Sequence, residues 1–73
     1  MLLHRRDPNR HMARFYRLRL QPRLWGGVAL VREWGRIGSP GRLRADAHDS
    51  TEAAERAGER LMTVKRRRGY SDA

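Results

Sequence analysis

Between Met12 and Gln21, apolar and polar residues alternate. Tyr16, Leu18 and Leu20 fall on one parity, and Phe15, Arg17 and Arg19 on the other. A period of two marks a half-buried strand, so the first set is expected to face the core and the second the solvent. Phe15 is the exception on the wet side, read as an edge cover or a stacking platform. Val28 to Gly35 gives a second strand. Ala29, Val31 and, past the glycine, Ile37 share one parity and are assigned to the core. Arg32, Trp34 and Arg36 then make a stripe on the wet side. Val28 and Leu30 share the stripe's parity, and a bulge at Gly35 would shift the register by one. Arg42 to Ala47 is a third, shorter strand, with Leu43 and Ala45 on one side and Arg42, Arg44 and Asp46 on the other.

The connections carry their own signals. Pro22 ends the first ladder and Gly26-Gly27 supply turn freedom. Trp25, beside them, is read as a lid over the open end of the core. Ile37-Gly38-Ser39-Pro40-Gly41 is a turn that makes its flanking strands an antiparallel hairpin. It is not a phosphate loop, because no Lys-Ser/Thr follows and no helix begins there. Asp49 or Ser50 starts a helix, with Glu52 at the capping-box position if Asp49 is the cap. Ala53, Ala57, Leu61 and Val64 then recur at helical spacing as the buried stripe, with Met62 at its margin. Gly58 inside this helix costs about 1 kcal/mol against alanine and permits close approach to the sheet. Glu52, Glu55 and Glu59 early and Lys65 to Arg68 late both suit the helix dipole. Gly69 is a stop, and Tyr70 to Ala73 adds a last short strand or docks as a tail.

The elements describe an α+β domain: a small antiparallel sheet of three to four strands, with one C-terminal helix packed on one face. Residues 1–11 hold Arg5, Arg6, Asp7, Pro8, Asn9 and Arg10, and are expected to be a basic, flexible tail before a domain spanning 12–73. The chain has 73 residues, no cysteine and a net charge of +9. Without cysteine there is no disulfide, thiolate nucleophile or cysteine zinc site, which fits a cytoplasmic protein. Met1-Leu2-Leu3 is too short for a secretion signal, and no apolar run could span a membrane. The positive charge attracts polyanions, of which nucleic acid is the commonest in a cytoplasm. Of seventeen basic residues only Lys65 is a lysine, a bias that a GC-rich genome would also produce.

Set side by side, the three strands offer Arg17, Arg19, Arg32, Trp34, Arg36, Arg42 and Arg44 as one wet face. Guanidinium groups bond phosphate oxygens in bidentate fashion, and an indole stacks on a base or sugar. Lys65-Arg66-Arg67-Arg68 is a second basic cluster, equally explained by the helix dipole. The histidines His4, His11 and His48 are scattered without metal-ligand spacing. No hydroxyl among Ser39, Ser50, Thr51, Thr63 and Ser71 has an arguable base. No catalytic residue, metal or cofactor is therefore assigned.

Residues 33–41, Phe15-Tyr16-Arg17-Leu18-Arg19-Leu20 and the helix end Lys65-Arg66-Arg67-Arg68-Gly69-Tyr70 together resemble the WGR domain. That family is named for the tripeptide at Trp34-Gly35-Arg36, and the likeness runs from about Ala13 to Ala73. Similar modules occur in poly(ADP-ribose) polymerases and as short bacterial proteins of little else. The resemblance implies a non-enzymatic DNA-binding module tied to DNA repair. Trp34 would lie against a terminal nucleotide, Arg36 would sit at the break, and Tyr70 would lie near the DNA end. It equally allows Arg36 a structural role between the turn and the helix end. The catalytic domain of the polymerases is absent from this chain. The competing reading is an adaptor that docks an acidic protein on the Arg–Trp face, and RNA is a third class of partner for such a surface. The pattern sets no oligomeric state.

Overall fold

The computed structural model describes residues 1–73. Its strands are β1 (Leu2–Asp7), β2 (Met12–Pro22), β3 (Val28–Arg36), β4 (Arg42–His48) and β5 (Ser71–Asp72), with the helix α1 (Thr51–Arg67) between β4 and β5. They form one antiparallel sheet in the order β4-β3-β2-β1-β5. No helix is long and apolar enough to cross a membrane.

The alternation in β2 reads through to the structure as far as Leu18; Leu20, on the same side, is exposed. Tyr16 and Leu18 are buried under α1, together with Leu3, Leu30 and Met62. Phe15 faces the opposite side and is also buried. The β3–β4 turn folds against its ring, so that a Cβ on Gly41 would press on Phe15. Phe15 is thus a cover on that side, with Arg17 5.9 Å from its ring centroid.

In β3 the faces are the reverse of those the pattern suggested. Residues directly opposite in an antiparallel ladder share a face. Leu30 lies opposite Leu20, Arg32 opposite Leu18, and Trp34 opposite Tyr16. The parity of Leu30, Arg32 and Trp34 therefore faces the helix, and that of Ala29 and Val31 faces away. The ladder runs unbroken from Arg14–Arg36 to Pro22–Val28, so there is no bulge at Gly35. Val31 is nevertheless buried on its own side, which is why both parities of β3 look apolar.

The expected tail is a strand. Leu2–Asp7 pairs along its whole length with β2 and also holds β5. Leu3 explains the cooperation: it is fully buried in the core under α1. A single 3₁₀ turn, Pro8–Arg10, joins β1 to β2, with the Asp7 carboxylate accepting from the Asn9 N–H. Five strands form rather than three or four because both chain ends join the sheet.

Ser50, not Asp49, caps α1: its Oγ accepts from the Ala53 N–H at 3.1 Å. Glu52 consequently falls outside the capping-box position. The buried stripe is Ala54, Gly58 and Met62, with Ala57 and Leu61 at its flank, and Val64 is exposed. The stripe is turned by one residue because α1 seats Gly58 on Leu18 and Leu30. Gly69, at φ +97°, ends the helix. The Tyr70 N–H reaches the Lys65 carbonyl and the Gly69 N–H the Arg66 carbonyl, the paired bonds of a Schellman stop. That stop sends the chain into β5.

Trp25 is no lid. It projects from the tip of the β2–β3 hairpin at 93% exposure, beside Leu24 at 85%.

Two glycines separate packing from conformation. A Cβ at Gly58 would meet Leu30 and Leu18 at ordinary contact distances of 3.6 and 3.8 Å. Gly58→Ala should therefore stabilise the fold by about 0.5–1 kcal/mol in urea unfolding. Gly41 has φ +73°, and a Cβ there would strike the Trp34 carbonyl. Gly41→Ala should destabilise by more than about 1 kcal/mol.

Candidate nucleic-acid interface

One end of the sheet brings together the start of β2, the end of β3 and the start of β4. Strand register does the assembly: Arg14 lies opposite Arg36, and Trp34 lies opposite Arg42. With Arg10 from the preceding 3₁₀ turn they line a half-open cavity of about 660 Å³. His11, Met12, Ala13, Gly35 and Gly41 complete the wall, and no carboxylate belongs to it. Trp34 is half-buried, packed on the core beneath α1 on one side and lining the cavity on the other.

Ion pairing separates this end from the middle of the sheet. Arg17 and Arg19 both reach Glu33, at 4.0 and 3.5 Å. Arg32 and Arg44 both reach Asp46, at 3.0 and 3.1 Å. Arg66 bonds Asp72 at 2.9 Å. Arg14, Arg36 and Arg42 have no ion-pair partner, and Arg10 pairs with Asp7 at 3.6 Å. Like charges directly opposite on a sheet are destabilising. The sheet holds three such pairs. In one, Arg32 and Arg44, Asp46 lies between the guanidinium groups; in the other two, Arg14 with Arg36 and Arg14 with Arg5, no acid does.

Lys65 adds to the same field. Its Nζ stands 4.8 Å from the Tyr16 ring centroid and 5.5 Å from that of Tyr70, and the two rings meet edge-on. Burial depresses its pKa, and Arg68, Arg32 and Arg14 lower it further. Burial pushes the Tyr16 phenol up, opposed by the Arg32 guanidinium. The Tyr16 hydroxyl and Arg32 Nε are both buried with no aligned hydrogen-bond partner.

The single wet face expected from the sequence is thus two faces. Trp34, Arg36 and Arg42 meet in the cavity. Arg32 and Arg44 share their side of the sheet but are tied to Asp46. Arg17 and Arg19 lie on the opposite side, because their parity in β2 is that of Phe15. Lys65 and Tyr70 are held against Tyr16, and Arg66 against Asp72. Arg10 and Arg14 were not foreseen. The signal for Arg14 was its parity with Tyr16, which set it on the helix side at the strand's end. Arg10 was hidden by the assignment of residues 1–11 to a tail. His4, His11 and His48 form no cluster with carboxylates that could hold a metal.

A five-stranded antiparallel sheet with one helix, carrying unpaired arginines round a half-buried tryptophan, describes a small basic α+β module with an arginine-lined cleft. The chain matches the WGR domain over residues 1–73, and it belongs to that family. WGR domains are in general non-catalytic modules of a nucleic-acid-binding type. The chain is also similar to the uncharacterized protein y4dW of Sinorhizobium fredii (strain NBRC 101917 / NGR234), with 40% identity over 70 residues. The match covers 96% of this chain and 34% of that protein, so the chain spans about a third of its relative's length. No solved structure matches significantly.

The Asp46 arrangement makes a direct prediction. The Arg32 side chain is only 20% exposed, so removing its partner strands a largely desolvated cation. Asp46→Ala should cost about 1–3 kcal/mol in urea unfolding. Arg44→Ala, which removes only the exposed partner, should cost less than about 0.5 kcal/mol.

Proposed function

We propose that this module binds DNA, without catalysing a reaction on it, through the arginine cleft at the Trp34 end of the sheet. The observation that carries the reading is the uncompensated group of Arg14, Arg36 and Arg42. Mutual repulsion makes this arrangement costly in the free protein, and phosphate oxygens would relieve it. The other basic residues, among them Arg17, Arg19, Arg32, Arg44, Lys65 and Arg66, act as a longer-range attractive field. Contacts to phosphate and sugar position a nucleic acid but read no sequence, so discrimination between base sequences is expected to be slight.

The placement of Trp34 favours DNA ends, nicks or gaps over continuous duplex. A half-buried indole at the wall of a cleft offers no open plane to a stacked helix. A terminal or unpaired nucleotide, which already has a free face, can enter and lie against it. Stacking of this kind is worth about 1–3 kcal/mol per base. The reading places the protein with DNA in the cytoplasm of its cell, consistent with a role in repair.

Fluorescence anisotropy with open-ended and covalently closed duplexes at two salt levels tests this. Open duplex should bind more tightly. Log K should fall with log salt at a slope of roughly −3 if three phosphates are held, and Arg36→Ala should reduce that slope by about one. Trp34→Leu should remove the preference for ends and leave general attraction. Equal binding to both duplexes, unchanged in the Trp34 variant, would reject end recognition. Competition by single-stranded RNA would shift the reading to RNA. A stoichiometric partner captured after nuclease treatment, and lost in Arg36→Ala, would shift it to an acidic protein.

A further inference from the structure

Strand β4 is the sheet's open edge. Its neighbour on one side is β3, and nothing pairs with the other side. The edge is seven residues long, whereas the opposite edge, β5, has two. Long unpaired edges are sites of strand addition unless something blocks them. No proline interrupts Arg42–His48, and its register on β3 has no bulge. One side of this strand carries Leu43, Ala45 and Ala47, all exposed, with Leu43 at 61%. The hairpin-tip residues Leu24 and Trp25 line a shallow cleft together with Ala45 on that same side. The apolar strip therefore continues from the edge to the two most exposed large hydrophobic side chains of the molecule.

We propose that β4 pairs antiparallel with β4 of a second copy of this chain, about a two-fold axis at Ala45. The order of charges along the strand selects this partner and this register. Centring on Ala45 engages all seven residues. Arg44 then faces Asp46 of the second copy, and Asp46 faces its Arg44, so two opposite-charge pairs form on the helix side. Arg42 faces His48 on that side as well. On the other side Ala45 meets Ala45, and Leu43 meets Ala47, closing the apolar strip across the seam. Centring on Arg44 would set arginine on arginine, and centring on Asp46 would set aspartate on aspartate. A one-residue slip would put charged side chains against the alanines. Arg44 can exchange its own Asp46 for that of the second copy, since its side chain is 64% exposed and Asp46 keeps Arg32.

Two consequences follow from the geometry. Opposed residues share a face, so both helices and both arginine clefts lie on the same side of a ten-stranded sheet. The two Arg42 positions are then about 20 Å apart along the seam, at roughly 3.3 Å per residue. The copies also repel, because each carries a net charge of +9. Salt screens that repulsion, so association should strengthen as salt rises. DNA binding at the cleft should weaken over the same range, which keeps the two properties separable.

Analytical ultracentrifugation and cysteine cross-linking test the pairing. The chain has no cysteine, so each introduced thiol reports alone. Opposed residues in an antiparallel pair have Cα atoms about 4.5–5.5 Å apart, within disulfide reach. Ala45→Cys should give a covalent dimer under mild oxidation. Ala47→Cys alone should not, because its counterpart is Leu43; a mixture of Leu43→Cys with Ala47→Cys should. Arg44→Asp should weaken association roughly tenfold, and Arg44→Asp mixed with Asp46→Arg should recover it as a heterodimer. A chain that stays monomeric at high concentration and high salt would overturn the proposal. So would a dimer in which Ala47→Cys cross-links as fast as Ala45→Cys.

Discussion

A one-residue slip of β2 on β3 would turn this protein inside out. The ladder between them runs without interruption from Arg14–Arg36 to Pro22–Val28, and side chains on it alternate faces strictly. That register sets Tyr16 beside Trp34 under the helix and Leu18 beside Arg32. It also fixes Arg14 opposite Arg36. The apolar core and the repelling arginine pair are therefore not independent features. They are successive steps of one ladder, the buried steps stabilising the strand alignment that holds the charged step together. The Schellman stop at Gly69 secures the same face from the other end, because it docks Tyr70 and Lys65 on Tyr16.

The few acids divide the arginines of the sheet into paired and unpaired groups. Glu33 lies between Arg17 and Arg19 on the face away from the helix. Asp46 lies between Arg32 and Arg44 in the middle of the helix-side face. Asp72 holds Arg66 near the short edge. Every one of these pairs lowers the local potential, and at the end of the sheet where β2 begins and β3 ends only Asp7, on Arg10, does the same. Arg14, Arg36 and Arg42 are thus left without an ion pair in a concave place. Concavity matters there, since low-dielectric walls focus a field that open surface would lose to screening.

The fold was more legible than the site. Periodicity located β2, β3, β4 and α1, and glycine and proline located their turns. The side of each strand was harder. In β2 the arginines at Arg17 and Arg19 made the alternation unambiguous. In β3 both parities carry apolar residues, because Val31 and Leu30 are buried on opposite faces of one sheet. Composition cannot distinguish two buried faces; only the pairing with Tyr16 and Leu18 does. Leu3 shows the same limit from the other direction. A strand whose sequence is Leu-Leu-His-Arg-Arg-Asp has no strong pattern of its own, and it becomes a strand because β2 and β5 offer it hydrogen bonds on both edges.

The sequence by itself determined that this is a small, cysteine-free, cationic α+β module with the tripeptide Trp34-Gly35-Arg36 at a strand end. Those properties are local: period, turn chemistry, capping and charge are carried by neighbours along the chain. The tertiary structure alone decided which arginines lie together. Arg14 and Arg42 join Trp34 and Arg36, while Arg17 and Arg19 are sent to the far side and Arg32 is neutralised by Asp46. The reason is physical. A side chain's field depends on which charges lie within a few ångströms through space, and in a sheet those come from other strands, as Asp46 does for Arg32 and Arg36 for Arg14.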